Sequence, residues 1–444
     1  MQPTGMKRAA VIGAGLSGLT AAYRLQERGW QVTVYEASGL VGGRVQTVER
    51  DGYRIDTGAS AIADSYKSYI KLAGELGLGA EIVPASPCIG IFRDGHLHEL
   101  NLDRPLSLPV TGLLSPGAKL RFLRLAWDTA MARFRGQLDY ADMCRAAPLD
   151  TESAGTYARR VLGKELTDYF VSPLVRLLLI ADPDKISKVE LFSGVGNIIS
   201  AGISALRGGQ GRLPRLLAER LAPKLNHPVD RVTEMADGVD VAFRDSDGVE
   251  RAERFDACIV CCPLPDAARI CADKSHLFAP LRDGLAYTQC ITVALAFNRA
   301  PRARAFLVQM PTCEDADIAL MFLDHNKAQD RAPSGRGLVD CHWETGAAAR
   351  WMDRSDDEII AHSLESVYRV FPELTGQLAF GHVTKWRRAL PQTAVGAYRL
   401  IGNFNAALDP KSRVQFASDY MSAAGQNTAV ELGTRAAGTI DSNH

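Results

Sequence analysis

The chain has 444 residues, and its 51 Lys+Arg balance 51 Asp+Glu, so the formal net charge is zero. Hydrophobic residues make up 46% and charged residues 23%, which excludes general disorder. The neutral balance excludes nucleic acid as the default partner, because phosphate backbones demand a basic excess. At roughly 150 residues per domain the length accommodates two or three domains. No apolar run reaches the roughly 18 residues a membrane-spanning helix needs; the best, Val171 to Ala181, is short and carries Arg176. Met1 to Lys7 is a polar lead without a cleavage site, so it does not read as a signal peptide. The nine cysteines are scattered, which predicts reduced thiols in a cytoplasmic protein. Cys258, Cys261 and Cys262 lie in an apolar strand-like run with no matching second pair, and read as core residues rather than a metal site.

In chain order, a strand at Ala9 to Ile12 leads through a glycine turn into a helix over Leu16 to Arg28 and a second strand at Gln31 to Tyr35. Cys88 to Leu100 alternates as a hairpin around Arg93-Asp94-Gly95. Residues 112–206 become helical, with apolar residues at three- and four-residue intervals. Within them Leu120 to Trp127 reads either as a core helix or as a patch on lipid; peripheral membrane contact is not expected. A helix at Leu213 to Leu221 precedes strands at Val229 to Val232, Val239 to Phe243 and Ala257 to Val260. Residues 286–389 alternate strands (Cys290 to Phe297, Gly337 to Trp343) with a helix over Asp356 to Val370, and Phe416 to Ile440 is a short strand, a loop and a helix. No fixed-period repeat is visible. The pattern predicts an α/β protein: a Rossmann-like dinucleotide-binding domain (1–85, 207–285 and 390–444) interleaved with a mixed-sheet and helical substrate domain (86–206 and 286–389).

The strongest motif is Gly13-Ala14-Gly15-Leu16-Ser17-Gly18, directly after a strand and opening a helix. Gly13 permits the turn, Gly15 lets a pyrophosphate approach the backbone, and Gly18 lets helix and strand pack closely. The helix N-terminus adds free N–H groups and partial positive charge. About 20 residues on, Glu36, with Ala37 beside it, is placed to hold a ribose hydroxyl pair. An acidic residue there disfavours a 2′-phosphate, which leaves NAD or FAD. Val41-Gly42-Gly43-Arg44 separates the two: its glycines let backbone wrap a ligand, and Arg44 offers a forked donor to pyrophosphate.

These motifs, followed by Asp56-Thr57-Gly58-Ala59, resemble the flavin-containing amine oxidoreductase superfamily, which includes monoamine oxidases, protoporphyrinogen oxidases and phytoene-type desaturases. The resemblance spans essentially the whole chain. It implies an FAD-dependent oxidoreductase whose adenine pairs with the backbone at Val232. Gly58 and Ala59 lie against the flavin, and Asp419 holds the ribityl chain. Asn427-Thr428-Ala429 opens a helix, near Thr428, whose amides face the flavin C2 carbonyl. Ser418 stands where relatives carry glycine, and Asp419 is otherwise an ordinary turn residue. Gly396-Ala397-Tyr398 replaces a Gly-Cys-Tyr, so the implied FAD is non-covalent. Tyr398 matches one wall of an aromatic cage whose opposite wall is here Gly425 or Gln426. Tyr398 and Trp386 are the substrate-side candidates, with core packing as their other reading. His96 and His98 read as surface, His342 and His382 as satisfied strand histidines. The half-cage and the apolar helices imply dehydrogenation at a C–C bond of a hydrophobic, cyclic or isoprenoid small molecule, with hydride passing from a C–H bond to the flavin and dioxygen as a candidate electron acceptor. The alternatives are an amine oxidase forming an imine and hydrogen peroxide, and a non-catalytic FAD-binding scaffold.

Overall fold

Two sheets organise the protein. A computed structural model describes residues 6–103, 111–138, 143–198 and 202–444; the lead at 1–5 and the parts of the helical stretch at 104–110, 139–142 and 199–201 lie outside the described residues. The first sheet has four parallel strands in the order Val414–Phe416, Ala257–Val260, Arg8–Ile12, Gln31–Tyr35. Ala257–Val260 is buried at every position, as a parallel strand covered on both faces must be. The first and last helices, Leu16–Glu27 and Gln426–Asn443, share its core with a three-stranded antiparallel sheet (Val229–Met235, Gly238–Arg244, Glu250–Phe255) that packs Phe243 4.6 Å and Phe255 6.3 Å from Tyr35.

The second sheet has seven strands, in the order Leu378–Trp386, Cys290–Phe297, Gly337–Trp343, Ile318–Leu323, Leu307–Gln309, Cys88–Arg93, His96–Asn101. It is mixed, because Leu307–Gln309 runs parallel to Cys88–Arg93 while the other pairs are antiparallel. Alternation assigns its faces. Val293, Leu295, Val339, Cys341, Trp343 and Met321 join an apolar cluster with Ile359 and Val367 of helix Asp356–Val370. The other face carries Cys290, Thr292, Asp340, His342 and Leu320. A third cluster gathers the helical stretch around helices Pro116–Phe134, Ala154–Val161 and Ser172–Leu179.

Several expectations change in detail. The helical stretch ends before Ile203–Leu206, a strand that pairs with Ile62–Ala63 and Ile82–Pro84. The last helix begins at Gln426, two residues before Thr428, with Gly425 at its N-cap. In the helix Pro116–Phe134 the core reading holds only for the inward side: Leu125 is buried, whereas Leu120, Leu123 and Trp127 stand exposed. Arg176, inside the longest apolar run, is fully buried, and its guanidinium donates to the carbonyls of Met310, Asp315 and Ala316, which accounts for three of its five N–H donors. Among the described residues, no helix is long and apolar enough to cross a membrane.

Candidate active site

The glycine turn sits where strand Arg8–Ile12 meets helix Leu16–Glu27. Gly13 has φ +105° and donates its N–H to the Tyr35 carbonyl at 2.7 Å. A Cβ on Gly18 would stand 2.0 Å from the Gly13 carbonyl oxygen, so the helix lies against the turn as only glycine permits. Gly15 differs: a Cβ there would meet nothing within 4 Å. It faces open space at the N-cap of a helix that no side chain caps, so the first amides remain available to a ligand. Leu16 and Ser17 are buried, and Ser17 donates its hydroxyl to the Ala417 carbonyl at 2.8 Å, tying the turn to the C-terminal segment.

Glu36 closes this loop. Its carboxylate accepts the Ala14 N–H at 2.8 Å and the Ser38 N–H and hydroxyl at 2.9 and 2.8 Å. It is only half-buried, and Ala37 beside it is exposed. Two carboxylate oxygens hold about four acceptor sites, so capacity remains for a ribose. Gly42 bridges to Gly15 and donates to the Ala14 carbonyl at 2.8 Å, which brings the second glycine pair onto the first turn; Gly43 follows it, 3.4 Å from Gly15 Cα when given a Cβ.

Arg44 and Asp419, expected at different parts of one ligand, form an ion pair at 2.5 Å. Arg44 also donates to the Ala389 carbonyl at 2.7 Å, and the other Asp419 oxygen accepts the Tyr287 hydroxyl at 2.8 Å. Burial, reinforced by the Asp419 charge, pushes the Tyr287 phenol well above its usual range, so it stays a donor. The Arg44 carbonyl accepts the Ala59 N–H at 3.0 Å, and a Cβ on Gly58 would lie 2.3 Å from that same oxygen. Gly58 and Ala59 are thereby fastened to the Gly-Gly-Arg turn.

Opposite them, the last helix starts without a side-chain cap. Gln426 donates to the Ala61 carbonyl at 2.9 Å, which aims this end at the Thr57 to Ala61 turn, and Thr428 and Ala429 lie in its first turn. Asn427 points elsewhere: its side-chain oxygen accepts the amides of Ser68 and Tyr69 at 2.9 and 3.1 Å and caps helix Lys67–Glu75. Val232 is a core residue of Val229–Met235, which is an edge strand. Trp386 donates its indole N–H to the Thr57 carbonyl at 2.6 Å and packs beside Cys290, Ala319 and Ala389. Tyr398 stands outside this chain of contacts. It is wholly buried in the first turn of helix Ala397–Ala407 and donates its hydroxyl to Glu190. Asp150 accepts the amides of Gly396 and Tyr398 at 2.8 and 3.2 Å. Burial, with Asp150 adding to it, holds the Glu190 carboxyl above its ordinary value despite hydrogen bonds from Tyr398 and Thr393.

Sequence reasoning missed the ionic cluster beneath the Asp56 to Ser60 turn. Asp56 accepts the Thr47 hydroxyl at 2.7 Å and the Gln210 N–H at 2.9 Å, and pairs with Arg331 at 3.0 Å and Lys327 at 3.5 Å. Lys327 donates to the Ser60 hydroxyl at 2.6 Å and lies 2.6 Å from Asp324. The side chains of Asp56, Asp324, Lys327 and Arg331 are all fully buried. Asp56 stood inside a motif that was read; the loop 324–331 carried no signal, because its value lies in partners far away in sequence. Among the described residues no group of three or more His, Cys, Asp or Glu side chains is arranged to hold a metal ion.

A parallel sheet with an uncapped helix end at its glycine turn, a second uncapped helix end and a separate mixed sheet make up a dinucleotide-binding α/β protein. The sequence profile of the flavin containing amine oxidoreductase family matches residues 16–441, and the chain belongs to that family. It is therefore an FAD-dependent oxidoreductase rather than a non-catalytic scaffold. It is 24% identical over 444 aligned residues to the coproporphyrinogen III oxidase of Bacillus subtilis, covering 91% of each chain. It is 31% identical over 219 residues to the mitochondrial protoporphyrinogen oxidase of Nicotiana tabacum; that match spans 49% of this chain and only 40% of the tobacco protein. The fold matches cyclohexylamine oxidase from Brevibacterium oxydans with a TM-score of 0.79 at 20% identity, over 98% of this chain and 99% of that one.

Proposed function

We propose that the enzyme removes two hydrogens across a carbon–carbon bond of a hydrophobic, cyclic or isoprenoid substrate. The observation that carries this reading is the state of Tyr398: its ring is fully buried and its hydroxyl is held by Glu190. Across from it the position of a second cage wall carries Gly425 and Gln426, whose amide is engaged with Ala61. No pair of aromatic faces is left to sandwich an amine. Apolar side chains fill the substrate side instead, among them Ile180 and Leu390 beside Trp386.

The residues fit FAD on two independent grounds, the open space at Gly15 and the two uncapped helix ends. In this reading residues 1–85, 207–285 and 390–444 hold the cofactor and residues 86–206 and 286–389 shape the substrate side. Gly13 to Gly18 with Gly42 and Gly43 receive the pyrophosphate, Glu36 the ribose, and the Val232 backbone the adenine. Arg44 and Asp419 exchange part of their mutual pairing for pyrophosphate and ribityl contacts. Gly58, Ala59, Thr428 and Ala429 border the ring, where a helix N-terminus favours negative charge. When bound, FAD supplies the two-electron acceptor, and the protein orients the substrate and keeps water out. Nine cysteines, none of them in a disulfide, support a cytoplasmic setting, and dioxygen is the candidate reoxidant.

The test is anaerobic titration of the yellow holoprotein with protoporphyrinogen, coproporphyrinogen III, phytoene and cyclohexylamine. Bleaching of the flavin by a porphyrinogen or the carotene, and not by the amine, is expected. Bleaching by the amine, with one peroxide per turnover in air, would establish the amine oxidase alternative.

A further inference from the structure

The strand Gly337–Trp343 runs through the middle of the seven-stranded sheet and is buried along its whole length, yet it carries Asp340 and His342 two residues apart on one face. His342 Nε2 donates to Asp340 Oδ2 at 3.0 Å. Two polar side chains in such a place are expensive to desolvate unless something uses them.

Their neighbours identify the face. His342 stands directly opposite Thr292 on one side and Leu320 on the other. Such cross-strand pairs hold their Cβ atoms about 5 Å apart. Thr292 donates its hydroxyl to the Thr57 carbonyl at 3.1 Å, the same oxygen that takes the Trp386 indole N–H. Thr57 immediately precedes Gly58 and Ala59. The imidazole thus lies one side chain from the turn assigned to the flavin edge, with the Phe322 ring packed edge-on 5.2 Å from it. Asp340 holds Nε2 in the protonated form, which leaves the lone pair on Nδ1. Nδ1 has no hydrogen-bond partner among the described residues, and 7% of the side chain remains open. A histidine buried only for packing would present both nitrogens to the protein.

We propose that His342 is the proton acceptor of the reaction and that Asp340 is its positioning residue. This rests on the dehydrogenation reading above. Two bonds to hydrogen break: at one carbon the hydrogen leaves with both bonding electrons to the flavin, and a second hydrogen, on the adjacent carbon or, in a porphyrinogen, on the conjugated pyrrole nitrogen, leaves as a proton to His342 Nδ1. The electron pair of that second bond becomes the new π bond. Asp340 stabilises the imidazolium that forms, the role a carboxylate plays behind a catalytic histidine elsewhere. The charged and titratable groups near the dyad are Asp324 on the short helix Asp324–Lys327, where Lys327 pairs with it, Cys290 on the neighbouring strand Cys290–Phe297, Cys341 between the two residues, and His382 on the strand Leu378–Trp386.

Two experiments decide it, and they fail separately. Diethyl pyrocarbonate applied to the holoprotein is expected to carbethoxylate His342, read by peptide mass. An unmodified His342 beside fully modified His96, which is exposed, means the ring is sealed and overturns the proposal. His342→Gln and Asp340→Asn are then followed by anaerobic flavin bleaching with coproporphyrinogen III. His342→Gln is expected to bind flavin normally but to slow bleaching at least about 100-fold, the usual contribution of an acid–base group, and to lose the low-pH limb of the rate profile. Asp340→Asn should slow it about tenfold and shift that limb. Wild-type rates in His342→Gln overturn the proposal. If no compound of the panel bleaches the wild-type protein, the substrate reading falls, and the modification result alone decides whether the dyad faces an open site.

Discussion

Two groups of helices in the protein begin in different ways. Helices Pro116–Phe134, Ala154–Val161 and Asp356–Val370 begin at Ser115, Ser153 and Ser355, each of which accepts the N–H three residues on, the last within a full capping box with Glu358. Helices Leu16–Glu27 and Gln426–Asn443 begin at Gly15 and Gly425 and take no side-chain cap. A serine cap contributes roughly 0.5–2 kcal/mol, which these two long helices forgo, as do Ser172–Leu179, Arg212–Leu221 and Ala397–Ala407. The missing cap alone does not mark a ligand site; at Gly15 it coincides with open space, and there the proposed reading keeps the amides for an anionic ligand. The two sheets repeat the contrast: the parallel sheet presents backbone at its working edge, whereas the seven-stranded sheet presents the side chains of Thr292, Asp340 and His342.

The largest effect that can break this comparison lies at Gly18. Gly18→Val places methyl groups against a backbone oxygen only 2.0 Å from the Cβ site. Nothing flexible is available to move, and overpacking beyond the usual 1–3 kcal/mol follows. The variant is expected to yield no soluble yellow protein; a stoichiometric flavin-to-protein absorbance ratio would contradict the packing account. Next comes Asp56→Asn, which leaves Lys327 and Arg331 without their shared carboxylate in a site none of them can leave. Removing one partner of a buried pair costs about 3–5 kcal/mol, and urea unfolding of the holoprotein should register a loss of that size. A loss under 1 kcal/mol would mean Asp324 alone suffices as counter-ion.

Gly15→Ala sharpens the contrast with Gly18. The added methyl meets no protein atom, so the apoprotein should melt at its wild-type temperature. FAD, whose pyrophosphate is proposed to pass there, should bind at least about tenfold more weakly, or 1.4 kcal/mol. Equal losses of apoprotein stability and FAD affinity would make Gly15 a packing residue like Gly18.

What the sequence made legible follows the same division. Backbone recognition depends on missing Cβ atoms at fixed spacing, and that information is local, so the turn at Gly13 to Gly18, Glu36 and the Gly42–Gly43 pair stood out before any coordinates. Side-chain constellations depend on register between distant strands. Nothing near His342 announces that Thr292 and Leu320 will flank it, and a His two residues after an Asp on an apolar strand reads as a satisfied core residue. Tyr398 shows the same limit from the other side. The sequence leaves Tyr398 between a substrate-side and a core role, and the residue that anchors it, Asp150, lies 246 residues before Gly396 and accepts the amides that open the helix. Asn427 was read as a cofactor contact and serves as a cap for a helix that has no cap of its own.

The smallest predicted effect concerns Glu190, a buried carboxyl that, among the described residues, accepts hydrogen bonds from two hydroxyls and pairs with no cation. Burial raises its folded pKa above the unfolded value of 4.5, so the native state binds the proton more tightly than the unfolded chain. Stability then has a negative slope with pH in that window: the contribution is complete below about 4.5 and fades as pH rises through the folded value. Glu190→Gln keeps an acceptor for Tyr398 and Thr393 and cannot ionise. Its unfolding free energy should equal or fall slightly below that of the wild type near pH 4 and exceed it progressively towards pH 8, as followed by urea titration at several pH values. A gap that stays constant between about pH 5 and pH 8 would mean Glu190 is ionised throughout, which would require a cation near Tyr398 that the described residues do not supply. A positive amine on the substrate side would be such a cation, so the same titration repeated with cyclohexylamine separates the carbon–carbon reading from its rival: only an amine-binding site should restore the ionised carboxylate.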